Sequence, residues 1–393
     1  MNPALDRIVQ TLAADLGHQL EAVFLFGSQT KQQVATAVSD TNLLLITQPN
    51  TNIRTIRNSF IPLWQEHKMM LKRAPMITNR QALLRHLQLN PQLALNLLQH
   101  GQQLAGEPIS LDLFRTSANP YEIYAHLAQQ LLEASAALVP NSEPESELLL
   151  NRLFRQITNK PGDGQTAATQ FNTLQQAVTA VINKLPAAKI WQKAAQSGAT
   201  SPNIPGLQAI YTENKRNIFV FNQLTPQQIR QINWQTLSHH LPEPDASLHI
   251  TTVAQFCLMA LYDKALDLRF SKYSHKWGIH FLDKLAPSGY QILRQAARIP
   301  SQILVDELPH SVLTASNVSD DTLHKLIHDY QNRMLNVQLE NELLFRLGLI
   351  PAKFVPPEPL PEPDVSAPER LDAIFQHLEW WADFYQTALQ AQT

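Results

Sequence analysis

Two short apolar runs, Ala22-Val23-Phe24-Leu25-Phe26 and Thr41-Asn42-Leu43-Leu44-Leu45-Ile46-Thr47, constrain the fold of this chain more than any other feature. The first is stopped by Gly27-Ser28 and the second by Pro49, and such β-rich runs bounded by turn residues predict strands. Ahead of them, Leu5, Ile8, Leu12 and Leu16 share one face of an amphipathic helix that ends at Gly17. The polar stretch between the two runs is long enough for one short helix. Residues 52–66 read as a further helix, Lys68 to Ala74 as a third strand, and Asn79 to His100 as one or two helices broken at Pro91. This alternation predicts an α/β unit with a mixed sheet over residues 1–115.

From about residue 116 to 350 the pattern predicts a mainly helical domain, for example Tyr121 to Ala137, interrupted by loops at Val139-Pro140-Asn141 and Lys160-Pro161-Gly162. One exception is the pair Leu207–Tyr211 and Ile218–Phe221, which reads as a hairpin around a polar turn. Seven prolines between Pro351 and Pro368 stiffen a linker over 351–368 that cannot continue a helix. A last helix over 369–393 carries Leu371, Ile374, Phe375, Leu378, Trp381, Tyr385 and Leu389 on one face, expected to dock on the body of the chain or on a second subunit. No internal repeat of fixed period is visible.

With 393 residues, two or three domains are expected. No apolar run reaches the roughly eighteen residues of a membrane span, and no secretory signal is visible, so the expected location is cytoplasmic and no membrane partner is expected. A net charge of −2 gives no global attraction to nucleic acid. The lone Cys257, within an apolar stretch, is expected to be a small buried hydrophobe.

Transfer of a nucleotidyl group needs a bound triphosphate, divalent metal to neutralise charge at the α-phosphate, and an attacking hydroxyl held in line. A glycine followed by a small hydroxyl residue after a strand lets backbone N–H groups approach phosphate oxygens. Two carboxylates one residue apart on the next strand point to one face and share metal. Phe24-Leu25-Phe26-Gly27-Ser28, ten further residues, and then Ser39-Asp40-Thr41-Asn42-Leu43-Leu44-Leu45-Ile46 resemble this pattern as it stands in the nucleotidyltransferase superfamily that includes the antibiotic adenylyltransferases and the minimal nucleotidyltransferases. The resemblance implies that Gly27 and Ser28 hold phosphate and that Asp40 is the first metal carboxylate.

It also exposes departures. The second acidic position is Asn42, whose amide oxygen ligates a hard cation without contributing charge, so magnesium affinity is expected to fall steeply. Gln29-Thr30-Lys31-Gln32 replaces the frequent Ala-Arg-Gly, leaving Lys31 as the nearby cation for phosphate. The third carboxylate is missing from Lys68–Ala74, with Glu66 the nearest substitute. The helix and glycine turn from Leu89 to Glu107 are similar to the segment that closes such domains. Ser271-Lys272 through Trp277, with Leu285-Ala286-Pro287 and Tyr290, resemble a pattern in the helical domain of streptomycin-type adenylyltransferases.

The first expectation is thus a nucleotidyltransferase-like protein with a degraded metal site, weakly active or inactive, serving as a nucleotide-binding or interaction module. A second is an enzyme moving a nucleoside monophosphate from an NTP to a hydroxyl of a small molecule, protein or RNA, with Mg held by Asp40 and an unrecognised acid. A third is a structural, partner-binding helical protein. Elsewhere, the pairs Arg80/His86 and Arg269/His275 have the six-residue spacing of a toxin-type ribonuclease signature, but exposed or capping roles are the simpler reading in a chain with 14 histidines. His239-His240 and His249 lack a completing acid or cysteine for a metal. The aromatic stripe at Trp380-Trp381, Phe384 and Tyr385 reads as a core face.

Overall fold

The computed structural model describes residues 3–27, 41–49, 51–71, 73–115, 120–140, 142–162, 164–184, 191, 204–238, 242–262, 272–285, 287–314, 320–357 and 366–392. The chain divides into two compact units, Met1–Ala118 with Gly289–Thr393, and Asn119–Ser288.

In the first unit, α1 (Pro3–Leu16) leads into β1 (Leu20–Phe26), followed by β2 (Asn42–Thr47), α2 (Ile53–Leu71), β3 (Met76–Asn79), α3 (Arg80–Leu89), α4 (Pro91–His100) and β4 (Gln102–Gly106). The strand order is β3-β2-β1-β4. β1 is antiparallel to both β2 and β4, whereas β2 and β3 run parallel, joined through α2 as a parallel connection demands. Leu43 to Ile46 are all buried, which is why β2 reads as a continuous apolar run rather than an alternating one. The Asn79 side chain accepts from Ala82 N–H to start α3, and Asn90 does the same for α4 from Leu93 N–H, with Pro91 at the first turn where its missing N–H costs nothing.

The predicted third strand over Lys68–Ala74 is corrected. Residues up to Leu71 finish α2, and the strand is Met76–Asn79 beyond the helix-stopping Pro75. The apolar Met69-Met70-Leu71 mimics a strand because one turn of an amphipathic helix can be locally apolar too.

The second unit contains α5 (Pro120–Ala134), α6 (Pro144–Thr158), α7 (Ala167–Ile182), β5 (Leu207–Glu213), β6 (Arg216–Phe221), α8 (Pro226–Gln231), α9 (Trp234–Ser238), β7 (Ser247–Thr252), α10 (Val253–Leu261) and β8 (Ser274–Gly278). The expected hairpin is β5–β6, and it is the centre of a second four-stranded sheet of order β7-β6-β5-β8. Its strand plan matches the first sheet throughout: β5 is antiparallel to β6 and β8, and β6 is parallel to β7. The irregularities match as well. The first ladder shifts register at Leu20/Ala22 and the second at Leu207/Ala209; the outer ladder shifts at Val23/Phe24 and at Ile210/Tyr211. Gly106 faces Ala22 with φ +89°, and Gly278 faces Ala209 with φ +83°. Asn79 and Thr252 each end the third strand and cap the next helix. The chain therefore builds one strand plan twice, a repeat invisible as a sequence period because the connection from Gly27 to Thr41 in the first copy is replaced by the two-residue turn Asn214-Lys215 in the second.

Each sheet is covered by helices that follow the other sheet in sequence. α5 packs on α10, and the 3-10 turn Ser135–Leu138 packs on β7. In the first unit, α11 (Gly289–Gln302) packs on α3, and the π-helical turn Ile303–Glu307 packs on β3. α12 (Leu308–Thr314), α13 (Asp320–Arg346) and α14 (Ala367–Gln390) complete that unit. The predicted C-terminal helix is α14, and its apolar face docks on α11 and α13 of the same chain. Leu371, Ile374, Leu378, Trp381, Tyr385 and Leu389 are buried there, each contributing about 1.5–3 kcal/mol. Phe354 stacks edge-on against Trp381 at 4.5 Å and confirms the stripe as core. No helix among the described residues is long and apolar enough to cross a membrane.

Candidate functional site

The antiparallel pairing of β1 with β2 brings the last residue of one, Phe26, opposite the first of the other, Asn42. Gly27 then leaves β1 with φ +88°, a conformation that L side chains rarely adopt. A Cβ on Gly27 would lie 3.0 Å from Asn42 Nδ2, so the glycine and the amide are in direct apposition at this end of the sheet. The structure thus brings together two of the residues singled out by sequence. Ser28, Lys31 and Asp40 lie outside the described residues.

Of the residues that the sequence offers as metal ligands, Asn42 and Glu66 are described. An amide supplies no charge at the Asn42 position, and the substitute acid Glu66 is on α2, exposed and hydrogen bonded by Arg7 Nη1 at 2.7 Å. Among the described residues no group of three or more His, Cys, Asp or Glu is arranged to hold a metal.

The same location in the second sheet shows what a sheet end without this connection looks like. Glu213 and Arg216 stand where Phe26 and Asn42 stand in the first, joined by Asn214 and Lys215 at φ 43° and 61°, as a tight hairpin turn requires. The buried Glu213 carboxylate is paired with Lys272 Nζ at 2.8 Å, and Arg216 lies 3.5 Å from Glu133. That end is closed by ion pairs; the first is elaborated by a long connection, the kind of segment that carries function on a rigid sheet.

Other sequence candidates resolve as structural groups. His86 is buried on α3 with its Nδ1 3.0 Å from Ser301 Oγ, while Arg80 is bound to Glu21, so the pair does not form a ribonuclease site. Burial, assisted by the charge of Arg298, pushes the His86 imidazole down to about 4. Arg269 lies outside the described residues, as do His239 and His240. His249 is buried on β7 between Leu132 O and Ser247 Oγ, and burial lowers its pKa. Cys257 is fully buried in α10, and burial pushes its thiol up. The segment likened to a helical-domain pattern, Ser271 to Trp277, instead supplies strand β8 at Ser274–Gly278.

Sequence reasoning missed one feature at the end of the first sheet. Met76 pairs with Leu44, so the residues preceding β3 lie at the Asn42 end. There the Ala74 N–H donates to His310 Nδ1 at 3.3 Å, and Arg73 pairs with Asp306. His310 and Arg73 border a cavity of about 560 Å³ whose far wall is Tyr330 and Arg333 of α13. Ala74 and His310 are 236 positions apart, and nothing in local sequence signals their meeting. Comparison with family models, with curated proteins and with solved structures finds no match to this chain.

Proposed function

We propose that the first unit is a nucleotidyltransferase-like module that receives the phosphates of a nucleoside triphosphate where β1 ends, with a metal site too weakly charged for efficient transfer. The observation that carries this reading is the apposition of Gly27 and Asn42: a side-chain-free backbone turn lies beside an amide in place of a carboxylate. The mixed order β3-β2-β1 and the long connection that the second sheet lacks support it. Gly27 places no side chain beside Asn42, and Lys31 and Ser28 belong to the segment that follows it. Bound magnesium would neutralise charge on the phosphates, and the described donors fit it poorly.

The test is Asn42→Asp. Restoring one negative charge at the first residue of β2 is expected to raise magnesium affinity by about tenfold or more, equivalent to roughly 1.4 kcal/mol, measured by calorimetric titration in the presence of ATP. Unchanged magnesium affinity in a folded variant would place Asn42 away from the metal position and remove the reading.

A further inference from the structure

We propose that the cavity bordered by Arg73, His310 and Tyr330 in the first unit binds an uncharged, hydroxyl-rich small molecule such as a sugar or polyol. The inference stands on the cavity itself and does not depend on nucleotidyl transfer.

Its volume, about 560 Å³, falls within the range of small-ligand sites, about 300–1,000 Å³. Its wall is built on a departure from regular structure. After Pro300 in α11 the chain makes the π-helical turn Ile303–Glu307, which delivers Glu307 and then His310 and Ser311 to the cavity edge, while Asp306 pairs with the lining Arg73. Such turns are rare and concentrate at functional sites. In the second unit the segment in the same place is the 3-10 turn Ser135–Leu138, whose Ser135 Oγ is spent accepting from Ile250 N–H on the sheet.

The polar groups select the ligand class. Both guanidinium groups already have carboxylates, Arg73 with Asp306 and Arg333 with Glu307, and Arg333 also covers the Tyr330 ring at 5.5 Å. A phosphate would find no uncompensated positive charge there and would meet Asp329, so an anion is disfavoured. A cation would meet Asp329 together with the two paired guanidinium groups, and spermidine in the titration below tests that class directly. Leu326 is the one aliphatic side chain among the lining residues, which gives an apolar ligand little to bury.

What remains is a complementary set of hydrogen-bonding groups. Because His310 Nδ1 accepts from Ala74 N–H, the proton of the neutral ring resides on Nε2, a fixed donor. Burial first, and then the Arg73 charge, hold that imidazole below its ordinary pKa. Asp329 has no hydrogen-bond or ionic partner among the described residues and is an open acceptor, while Ser311 Oγ, which donates to Glu307 O at 2.9 Å, and Tyr330 OH, 3.1 Å from it, offer acceptor lone pairs. A hydroxyl group donates and accepts at once, so a molecule carrying several of them can satisfy donor and acceptor walls together.

The experiment is a thermal-shift and calorimetric titration of the full chain with glucose, trehalose and myo-inositol, alongside inorganic phosphate and spermidine. Polyols stabilise proteins generally by exclusion from the surface, so the diagnostic is saturation and its sensitivity to substitution. At least one polyol is expected to saturate, with affinity falling about tenfold or more in Asp329→Asn and His310→Phe. Asp372→Asn, which breaks an exposed pair with Arg54 elsewhere, should leave binding unchanged. His310→Phe removes a backbone partner and can destabilise the fold, whereas the Asp329→Asn variant carries the test without that complication. Linear, unsaturating stabilisation identical in wild type and Asp329→Asn overturns the proposal, as does saturable binding of phosphate or spermidine in preference to every polyol.

Discussion

Replacing Gly106 or Gly278 by alanine should damage the two units in the same way and to a similar extent. Each glycine sits at positive φ on the outer strand of its sheet, where an L side chain costs roughly 1–2 kcal/mol. Space is the larger obstacle. A Cβ on Gly106 would lie 2.0 Å from Glu21 O, and on Gly278 it would lie 2.2 Å from Gln208 O, distances no real Cβ tolerates. Relief requires moving the outer strand away, at the expense of the bond from Glu107 N–H to Glu21 O in one sheet and from Ile279 N–H to Gln208 O in the other. Losing such a bond costs about 0.5–1.5 kcal/mol, so the two together come to about 1.5–3.5 kcal/mol. For units of this size that is a drop of roughly 3–14 °C in midpoint by scanning calorimetry. Gly164→Ala supplies the control: its φ is +82° but nothing lies within 4 Å of the added Cβ, so it should show the backbone cost alone. If Gly106→Ala and Gly278→Ala destabilise no more than Gly164→Ala, the close strand approach that defines the repeated plan is refuted.

Two buried groups predict opposite pH dependences. His86 is held at about 4 by burial, so the unfolded chain takes up a proton near its ordinary 6.5 that the folded chain refuses; the stability is fully present above that value and about 3 kcal/mol is lost as pH falls from 6.5 toward 4. His86→Gln should flatten the denaturant midpoint over that range, and an unchanged slope would contradict burial as the cause. Glu340, with an orphaned Oε2, is pushed up to about 7 by burial, so its contribution is present below the ordinary carboxylate value and lost as pH rises through 7. Glu340→Gln should therefore stabilise the protein at pH 8 and change little at pH 4, whereas equal effects at both would rule out a protonated buried carboxyl.

The parts of the fold that sequence made legible are those whose residues carry their own periodicity. Leu43 to Ile46 announce a buried central strand, and Asn79 and Asn90-Pro91 mark helix starts through capping chemistry. The outer strands were hidden: Gln102-Gln103-Leu104 and Ser274-His275-Lys276-Trp277 are partly exposed and polar, so they lack the apolar signal of a strand buried on both faces. The second sheet reads as a lone hairpin because β8 is exposed and because β7, though buried, carries Ser247, His249, Thr251 and Thr252 in place of an apolar run. Of the candidate site, the Gly27/Asn42 pair was readable because two strands adjacent in sequence bring the end of one beside the start of the next. The meeting of Ala74, His310 and Tyr330 was not, because it depends on helices far along the chain packing back on β3.

The most direct test of the degraded-site account is the thermal midpoint of the full chain with ATP, measured with and without magnesium. The account predicts saturable stabilisation by ATP that magnesium barely increases, since binding to the native state alone raises stability as ligand concentration exceeds Kd. A large additional stabilisation that appears when magnesium is added would show an intact metal centre, and no response to ATP in either condition would show that the end of β1 holds no nucleotide.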